Sequence, residues 1–207
     1  MSSSDQLLVA TRNSGKLREL EELLTDLPFL ISSLADFPSV EKIPETGQTF
    51  VENAVLKAIG YADQTGLLTL ADDSGLEVDA LDGAPGVFSA RYLGETASYA
   101  ARMNSLLADL AGIDESRRTA RFVCAVAIVN AAGNLLNVSV GTCEGRIASE
   151  PRGFGGFGYD PIFVPNGYDL TFAELDRVVK NQISHRAQAL QGANEYLQSL
   201  TSALHAD

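Results

Sequence analysis

One long segment restricts the folds open to this chain more than any other: ARFVCAVAIVNAAGNLLNVSVGTCEGRI, residues 120–147. Two β-patterned runs surround an Ala-Gly-Asn turn, and the first run is almost continuously apolar, which is typical of a central strand buried on both faces. Cys124 and Cys143 lie equally far from the Gly133-Asn134 pair, so a two-residue turn there would place them opposite each other. We expect both to be reduced core thiols, because nothing else indicates an oxidising compartment.

Strand and helix patterns alternate along the rest of the chain. Strands are predicted at 6–10 and 29–34, then over 67–81 as a buried strand, an acidic turn and an alternating strand, and again after the glycine-rich loop that begins at residue 151. Helices are predicted at 16–24, from Thr49 to about Ala62, at 96–112, and from about Phe172 to Leu204. These patterns indicate an α/β fold with a mixed central β-sheet flanked by helices. The chain, residues 1–207, reads as a single domain without a linker, long enough to form two lobes around a cleft.

Composition excludes several classes of partner. The net charge of −12 and the pI of about 4.5 would repel a phosphate backbone, and no run of Lys and Arg provides a local basic patch. The N-terminal MSSSDQLLVA has neither a basic segment nor a long apolar run, and later apolar runs are short or broken. We therefore expect a cytoplasmic protein that binds neither nucleic acid nor membrane.

The segment VATRNSGKLREL, residues 9–20, places a lysine at the start of a predicted helix. The N-terminus of a helix carries partial positive charge, so a cation there gains nothing from the helix itself. If Asn13 caps the helix, the N–H groups of Ser14, Gly15 and Lys16 point outward together, and a bound anion would explain the lysine. The alternative is a solvated lysine with no binding role.

Two adjacent acids, Asp72 and Asp73, follow a buried strand in the segment ADDSGLEVDAL. Ligands commonly bind at strand ends in α/β folds, and neighbouring carboxylates repel each other unless a cation lies between them. Because the site would contain only oxygen ligands, it suits Mg²⁺ rather than Zn²⁺. Glu45 and Glu41 are further candidate ligands. The alternative is an acidic turn that only ends a strand.

Two further segments carry candidate binding residues. In GFGGFGYDPIF, residues 153–163, Phe157 is predicted to stack on a planar base, while Phe154 and Phe163 are assigned to packing. In KNQISHRAQAL, residues 180–190, four polar or cationic side chains come just before the long C-terminal helix: Lys180, Ser184, His185 and Arg186. This second segment is alternatively an ordinary helix start with Ser184 as its cap.

Five blocks together carry a family resemblance: TRNSGK, ETGQTFVENAVLKA, ADDSGLEVDALDGAPGVFSARY, GGFGYDPIF and ISHRAQAL. In this order and at this spacing they closely resemble the inosine/xanthosine triphosphate pyrophosphatase family, enzymes that remove noncanonical purine nucleotides from the nucleotide pool. The resemblance implies an elongated fold with two lobes around a central active-site cleft, a homodimer and a Mg²⁺ requirement. It also implies hydrolysis of ITP, dITP and XTP to the monophosphate and pyrophosphate.

The resemblance also implies residue roles. Catalysis is assigned to Asp73, Lys16 and Lys57, and Mg²⁺ to Asp73 with Glu45. The substrate-binding residues implied are Thr11, Arg12, Asn13, Ser14, Gly15, Lys16, Ser74, Phe157, Gly158, Tyr159, Asp160, Lys180, His185 and Arg186. Arg186 has only hydrogen-bond donors, which suit a 6-oxo purine and oppose the 6-amino group of adenine. One departure is Pro44, which stands where bacterial members often carry a second acid.

Two other activities have to be weighed against hydrolysis to pyrophosphate. A nucleotide sensor that binds without cleaving would keep Lys16 and Phe157 but would have no use for the Asp72-Asp73 pair. A phosphatase of the aspartyl-phosphate type needs a D-x-D arrangement, which the contiguous pair followed by Ser74 does not supply.

Overall fold

A computed structural model of the protein describes residues 6–24 and 27–204. Within these residues the chain forms six β-strands and five α-helices. The strands are β1 (Gln6–Val9), β2 (Leu30–Ser33), β3 (Leu68–Val78), β4 (Thr119–Val129), β5 (Leu135–Ile147) and β6 (Phe163–Pro165). The helices are α1 (Ser14–Leu23), α2 (Phe50–Thr65), α3 (Tyr99–Asp109), α4 (Arg177–Ile183) and α5 (His185–Leu204). Across the described residues, no helix is both long enough and apolar enough to cross a membrane.

The strands form one sheet in the order β2-β1-β3-β4-β5-β6. Strand β1 pairs in parallel with both β2 and β3, whereas β5 and β6 are antiparallel. The mixed sheet and the α/β class predicted from the sequence are therefore confirmed. The apolar segment 120–129 supplies β4, which lies inside the sheet, as its sequence predicted.

The chain divides into two compact units. The first, unit 1, comprises residues 1–73, 124–141 and 186–207, and the second, unit 2, comprises residues 74–123 and 142–185. Unit 1 has a core formed by apolar residues of β1, β3, β4, α1 and α5, among them Leu7, Leu20 and Leu190. Unit 2 has its own core, which includes Leu76, Leu106 and Phe163. Because the two units consist of five alternating chain segments, neither is a contiguous domain.

Strand β3 corrects the predicted position of the acidic pair. The sequence predicted a strand end and a turn at Asp72 and Asp73, but β3 continues without interruption from Leu68 to Val78 through both residues. Aspartate disfavours strands, so local propensity predicted a turn. Both side chains are instead buried and held by cations, and these tertiary contacts override the propensity.

Three other local predictions need correction. The β4–β5 turn is a five-residue loop, 130–134, in which the Asn130 side chain accepts two backbone N–H groups, and not a two-residue turn. The helix predicted from about Phe172 to Leu204 is two helices, α4 and α5, with Ser184 between them. Helix α4 itself begins only at Arg177, where Asp176 caps it. Phe154 is fully exposed instead of packed. The glycines on either side of Phe154 approach the backbone of Ala173, so this ring is directed away from the protein.

The expectation of two reduced core thiols is confirmed. Cys124 and Cys143 are both free and both buried. Burial raises the pKa of Cys124 to about 12 and that of Cys143 to about 11. Since the thiolate is the reactive form of cysteine, both thiols are chemically inert near neutral pH.

Candidate active site

The predicted cap of α1 is present. The side-chain oxygen Oδ1 of Asn13 accepts the backbone N–H groups of Gly15 (2.9 Å) and Lys16 (3.1 Å). Thr11 supports this turn, because its Oγ1 accepts the Asn13 N–H at 3.2 Å. The prediction that Gly15 and Lys16 turn their N–H groups outward for an anion is therefore wrong, since the cap already occupies both groups. The exposed Ser14 opens α1.

Arg12 lies beside this turn, and its contact is structural. Its Nη2 donates to the backbone oxygen of Val40 at 2.6 Å. This bond ties the loop before α1 to the segment that leads towards Glu45. A role for Arg12 in substrate binding stays a prediction.

Lys16 has a carboxylate partner within the protein. Its Nζ lies 2.9 Å from Oδ2 of Asp72, and its side chain is only 14% exposed. The alternative of a solvated lysine is therefore wrong. Because a helix N-terminus does not favour a cation, the negative charge of Asp72 is what stabilises Lys16 at this position.

Strand geometry separates the two acids. Successive side chains on a β-strand point to opposite faces, so the adjacent Asp72 and Asp73 have different partners. Asp73 accepts a hydrogen bond from Asn53 Nδ2 at 3.0 Å and lies 3.5 Å from Lys57 Nζ. Lys57 also contacts Glu45 Oε1 at 2.7 Å. One ammonium group is thus shared by the two carboxylates that the sequence assigned to Mg²⁺.

Helix α2 places the partners of Asp73. Thr49, from which the sequence predicted this helix, caps it by accepting the Glu52 N–H at 3.1 Å. Asn53 and Lys57 are four residues apart and therefore lie on the same face, which is buried and directed at Asp73. Asn53 Oδ1 also accepts the Gly47 N–H at 2.8 Å, so one side chain positions both Asp73 and the loop that carries Glu45.

The electrostatics of this cluster differ from residue to residue. Burial by itself would raise the pKa of Asp72, but Lys16, Arg186 and Lys57 outweigh burial and hold that pKa well below its usual range. Burial raises the pKa of Asp73, and Glu45 and Asp72 act in the same direction against Lys57 and Lys16. The two acids therefore have opposite tendencies: Asp72 stays ionised, whereas Asp73 gains proton affinity, as a general base requires.

Lys57 and Arg186 keep their positive charge beside these acids. Burial alone would lower the pKa of Lys57, but Asp73, Asp72 and Glu45 raise it above its ordinary value. Burial would likewise lower the pKa of Arg186, and Asp72 and Glu19 are among the groups that raise it. The cluster therefore offers fixed positive charge beside its two acids.

Arg186 is buried within unit 1. Its side chain is 2% exposed, its Nη1 donates to Oε2 of Glu19, and its Nη2 lies 3.7 Å from Oδ2 of Asp72. The start of α5 is therefore tied both to α1 and to β3. Contact of Arg186 with a purine base stays a prediction.

The glycine-rich loop and α4 form a second cluster, in unit 2. Oδ2 of Asp160 accepts hydrogen bonds from Lys180 Nζ at 2.6 Å and from the Phe157 N–H at 2.7 Å. Lys180 lies 5.0 Å from the centre of the half-buried Phe157 ring, and both Asp160 and Lys180 are buried. Gly156 is required here, because its φ is +68° and a Cβ would overlap the Asp160 carboxylate. Asp160 thus fixes the one aromatic residue that the sequence assigned to base stacking.

The remaining predicted pocket residues of unit 2 lie among protein contacts. Tyr159 is buried, and its hydroxyl donates to the backbone oxygen of Ser89 at 3.0 Å. His185 is also buried and stacks on Phe122 with ring centres 4.7 Å apart. Gly158 has a φ of +67°, and Ser74 is half-buried in β3. Phe163 is fully buried, as predicted.

The oxygen donors fit Mg²⁺, although they do not form a complete protein cage. In the described residues no three His, Cys, Asp or Glu side chains are grouped to hold a metal ion. Mg²⁺ is commonly bound by only one or two carboxylates together with substrate phosphates and water. Asp73 and Glu45 supply such a pair, and both already contact the cationic Lys57.

Sequence reasoning did not assign two residues that the structure places in unit 1. Asn53 was given no role from the sequence, although its position four residues before Lys57 is the signal that could have placed it at the site. Glu19 lies three residues after Lys16, on the same face of α1. No local pattern pairs Glu19 with Arg186, which is 167 residues away.

The sequence of this chain is similar to those of known proteins. A profile of the Ham1 family matches residues 7–196, nearly the whole chain. The chain belongs to the Ham1 family. Within the Ham1 family, a dITP/XTP pyrophosphatase of Desulforamulus reducens is 49% identical over 195 residues, which cover 94% of this chain and 96% of the relative. A dITP/XTP pyrophosphatase of Exiguobacterium is 52% identical over 186 residues, covering 90% and 93% respectively.

Solved structures of Ham1 proteins agree with this assignment. The structure of a HAM1 protein from Coxiella burnetii superposes with a TM-score of 0.85 at 48% identity, and the match covers 94% of this chain and 98% of that one. The family predicted from the five sequence blocks is therefore confirmed.

Proposed function

We propose that this Ham1 chain hydrolyses ITP, dITP and XTP at the α-phosphorus, which yields the nucleoside monophosphate and pyrophosphate and cleanses the nucleotide pool. The observation that carries the proposal is the unit 1 cluster. There Lys57 lies between Asp73 and Glu45, and Lys16 is held by Asp72. The two lysines suit the phosphate oxygens of a polyphosphate, and the carboxylates of Asp73 and Glu45 suit its metal ion. The relatives named dITP/XTP pyrophosphatase support the choice of substrate.

The chemistry assigns a distinct task to each side chain of unit 1. Asp73 accepts the proton of the attacking water as the water oxygen bonds to the α-phosphorus, and the bond from that phosphorus to the pyrophosphate oxygen breaks. Lys16 and Lys57 donate to phosphate oxygens and offset their charge. When bound to Asp73 and Glu45, Mg²⁺ would supply further positive charge against the negative charge that develops on pyrophosphate.

Base recognition is assigned to the cluster of Phe157, Asp160 and Lys180 in unit 2. Phe157, fixed by Asp160 and Lys180, stacks on the purine. The resemblance separately gives Arg186 a base-binding role: this side chain carries donors only, so a 6-oxo purine can pair with it where adenine would set donor against donor. Hydrolysis of ATP is therefore expected to be slow.

Product analysis tests this function. With Mg²⁺, ITP should give IMP and pyrophosphate, ATP should react at least about 100-fold more slowly, and a chelator should stop the reaction. Formation of IDP and phosphate would contradict the proposal. Tight binding of ITP without turnover would instead favour the nucleotide sensor.

The raised pKa of Asp73 predicts the acidic limb of the pH profile. Asp73 must be ionised to accept a proton, and kcat/KM reports the free enzyme before Mg²⁺ and ITP bind. The value of kcat/KM should therefore fall as the pH drops through a value above the ordinary aspartate pKa of about 3.9. Glu45→Gln removes a charge that raises this pKa and should move the limb to lower pH, whatever it does to the maximal rate. A limb at or below the ordinary aspartate pKa in the unmodified enzyme would refute this role for Asp73.

Assembly and location are also proposed from the family resemblance. We expect a homodimer in the cytoplasm. Light scattering coupled to size exclusion should give twice the chain mass of 22.0 kDa, and a single chain mass at micromolar concentration would refute the dimer.

A further inference from the structure

Four charged side chains of unit 1 form a ring with alternating signs. Lys16 Nζ lies 2.9 Å from Asp72 Oδ2, Arg186 Nη2 lies 3.7 Å from the same oxygen, and Arg186 Nη1 donates to Glu19. Lys16 and Glu19 are three residues apart on α1, so the helix itself closes the ring. Two positive and two negative charges thus connect α1, β3 and the first turn of α5.

Burial within the ring decreases towards Lys16. The side chains of Asp72 and Arg186 are 1% and 2% exposed, whereas Glu19 is 10% and Lys16 is 14% exposed. In so buried a setting each charge depends on its partners, because removing one leaves another uncompensated. Lys16 is therefore the member of the ring that a polyphosphate can reach most easily, and Asp72 is the anchor behind it.

The anchor has a physical consequence for binding. A mobile lysine side chain loses rotamer entropy when a ligand orders it, and this loss weakens binding. Asp72 already orders Lys16, and it uses only one of the three ammonium donors. Among the described residues, the other oxygen of Asp72, Oδ1, is buried without a hydrogen-bond partner, so Asp72 makes its ionic contacts with Lys16 and Arg186 through Oδ2.

We propose that Asp72 is a positioning residue, which sets the affinity for the triphosphate by holding Lys16 in place and takes no part in proton transfer. The inference rests on the proposed function, since Lys16 must bind phosphate oxygens for its position to matter. Arg186 and Glu19 complete this arrangement. Glu19 binds Nη1 of Arg186, while the other terminal nitrogen, Nη2, lies near Asp72, so that Asp72 remains directed at Lys16.

A double-mutant cycle tests the proposal. Asp72→Asn should raise the KM for ITP about tenfold and change kcat less than about threefold, because the contact acts on binding. In a Lys16→Met background, the same substitution should change KM less than about twofold, since the residue through which Asp72 acts is gone. Equal effects of Asp72→Asn in both backgrounds would overturn the inference. So would a fall in KM, which would show that Asp72 mainly repels the triphosphate.

A second variant covers the case in which Asp72→Asn does not fold. Glu19→Gln leaves Asp72 intact but frees Arg186 to compete with Lys16 for it, and should raise KM about threefold, again only when Lys16 is present. An unchanged KM in Glu19→Gln would overturn the inference. Asp79→Asn, an exposed acid of unit 2, is the matched control and should leave KM unchanged.

The activity of the unsubstituted protein distinguishes failure of the proposed function from failure of the positioning role. If the unsubstituted protein releases no pyrophosphate from ITP, the proposed function fails. If it does release pyrophosphate but the cycle shows no coupling between Asp72 and Lys16, only the positioning role fails.

Discussion

Asp73→Asn should lower kcat for ITP by about a thousandfold or more while ITP still binds. The substitution keeps the shape of the side chain but removes the proton acceptor, and general bases contribute about 10² to 10⁴ in rate. It also removes one of the two carboxylates assigned to Mg²⁺, which adds to the loss. Single-turnover kinetics measure the rate, and calorimetry with ITP in the absence of metal measures the binding.

The control for Asp73 is another aspartate of unit 1. Asp63 is exposed on α2, so Asp63→Asn should have kinetics like those of the unsubstituted protein. Turnover of Asp73→Asn within about threefold of the starting enzyme would remove Asp73 from the catalytic residues, since one general base accounts for far more than that. Loss of ITP binding together with turnover would indicate that Asp73 serves binding instead of chemistry.

Lys57→Met is expected to have the second largest effect, a loss of about 10² to 10³ in kcat/KM. Methionine fills similar space but removes the ammonium group that lies between Glu45 and Asp73, and fixed charges of this kind contribute about that much to transition-state stabilisation. Lys57 also lowers the pKa of Asp73, which burial raises. The acidic limb of the pH profile should therefore move to higher pH in the variant.

The shift of the limb separates an electrostatic role of Lys57 from a general loss of stability. A variant that is merely less stable would lose rate without moving the limb. Lys42→Met, at an exposed position before the Glu45 loop, is the control and should change neither rate nor limb. Unchanged kcat/KM in Lys57→Met would contradict the role given to unit 1.

The sequence predicted those parts of the fold that depend on local chemistry. The caps at Asn13 and Thr49 are read correctly, because each is a short-range bond between a side chain and the next turn of backbone. The central strand β4 could likewise be predicted from its continuous run of apolar residues. The family resemblance added the roles of Lys57 in unit 1 and Asp160 in unit 2, which no single segment could have supplied.

Contacts that depend on distant segments were not predictable. Asp72 and Asp73 belong to the interior of β3 because Lys16, Arg186 and Lys57 compensate their charges there, and local propensity alone predicts a turn. The Glu19–Arg186 pair joins residues 167 positions apart, and no spacing rule extends so far. The orientation of Phe154 likewise depends on where its neighbouring glycines meet Ala173.

The central claim is that the catalytic water attacks the α-phosphorus of an inosine or xanthosine nucleotide. Hydrolysis of ITP in ¹⁸O-labelled water, followed by mass spectrometry of both products, tests this claim directly. The label should appear in IMP, and pyrophosphate should remain unlabelled, because the new oxygen bond forms at the α-phosphorus. Label in pyrophosphate, or release of orthophosphate with IDP, would place the attack elsewhere and contradict the account.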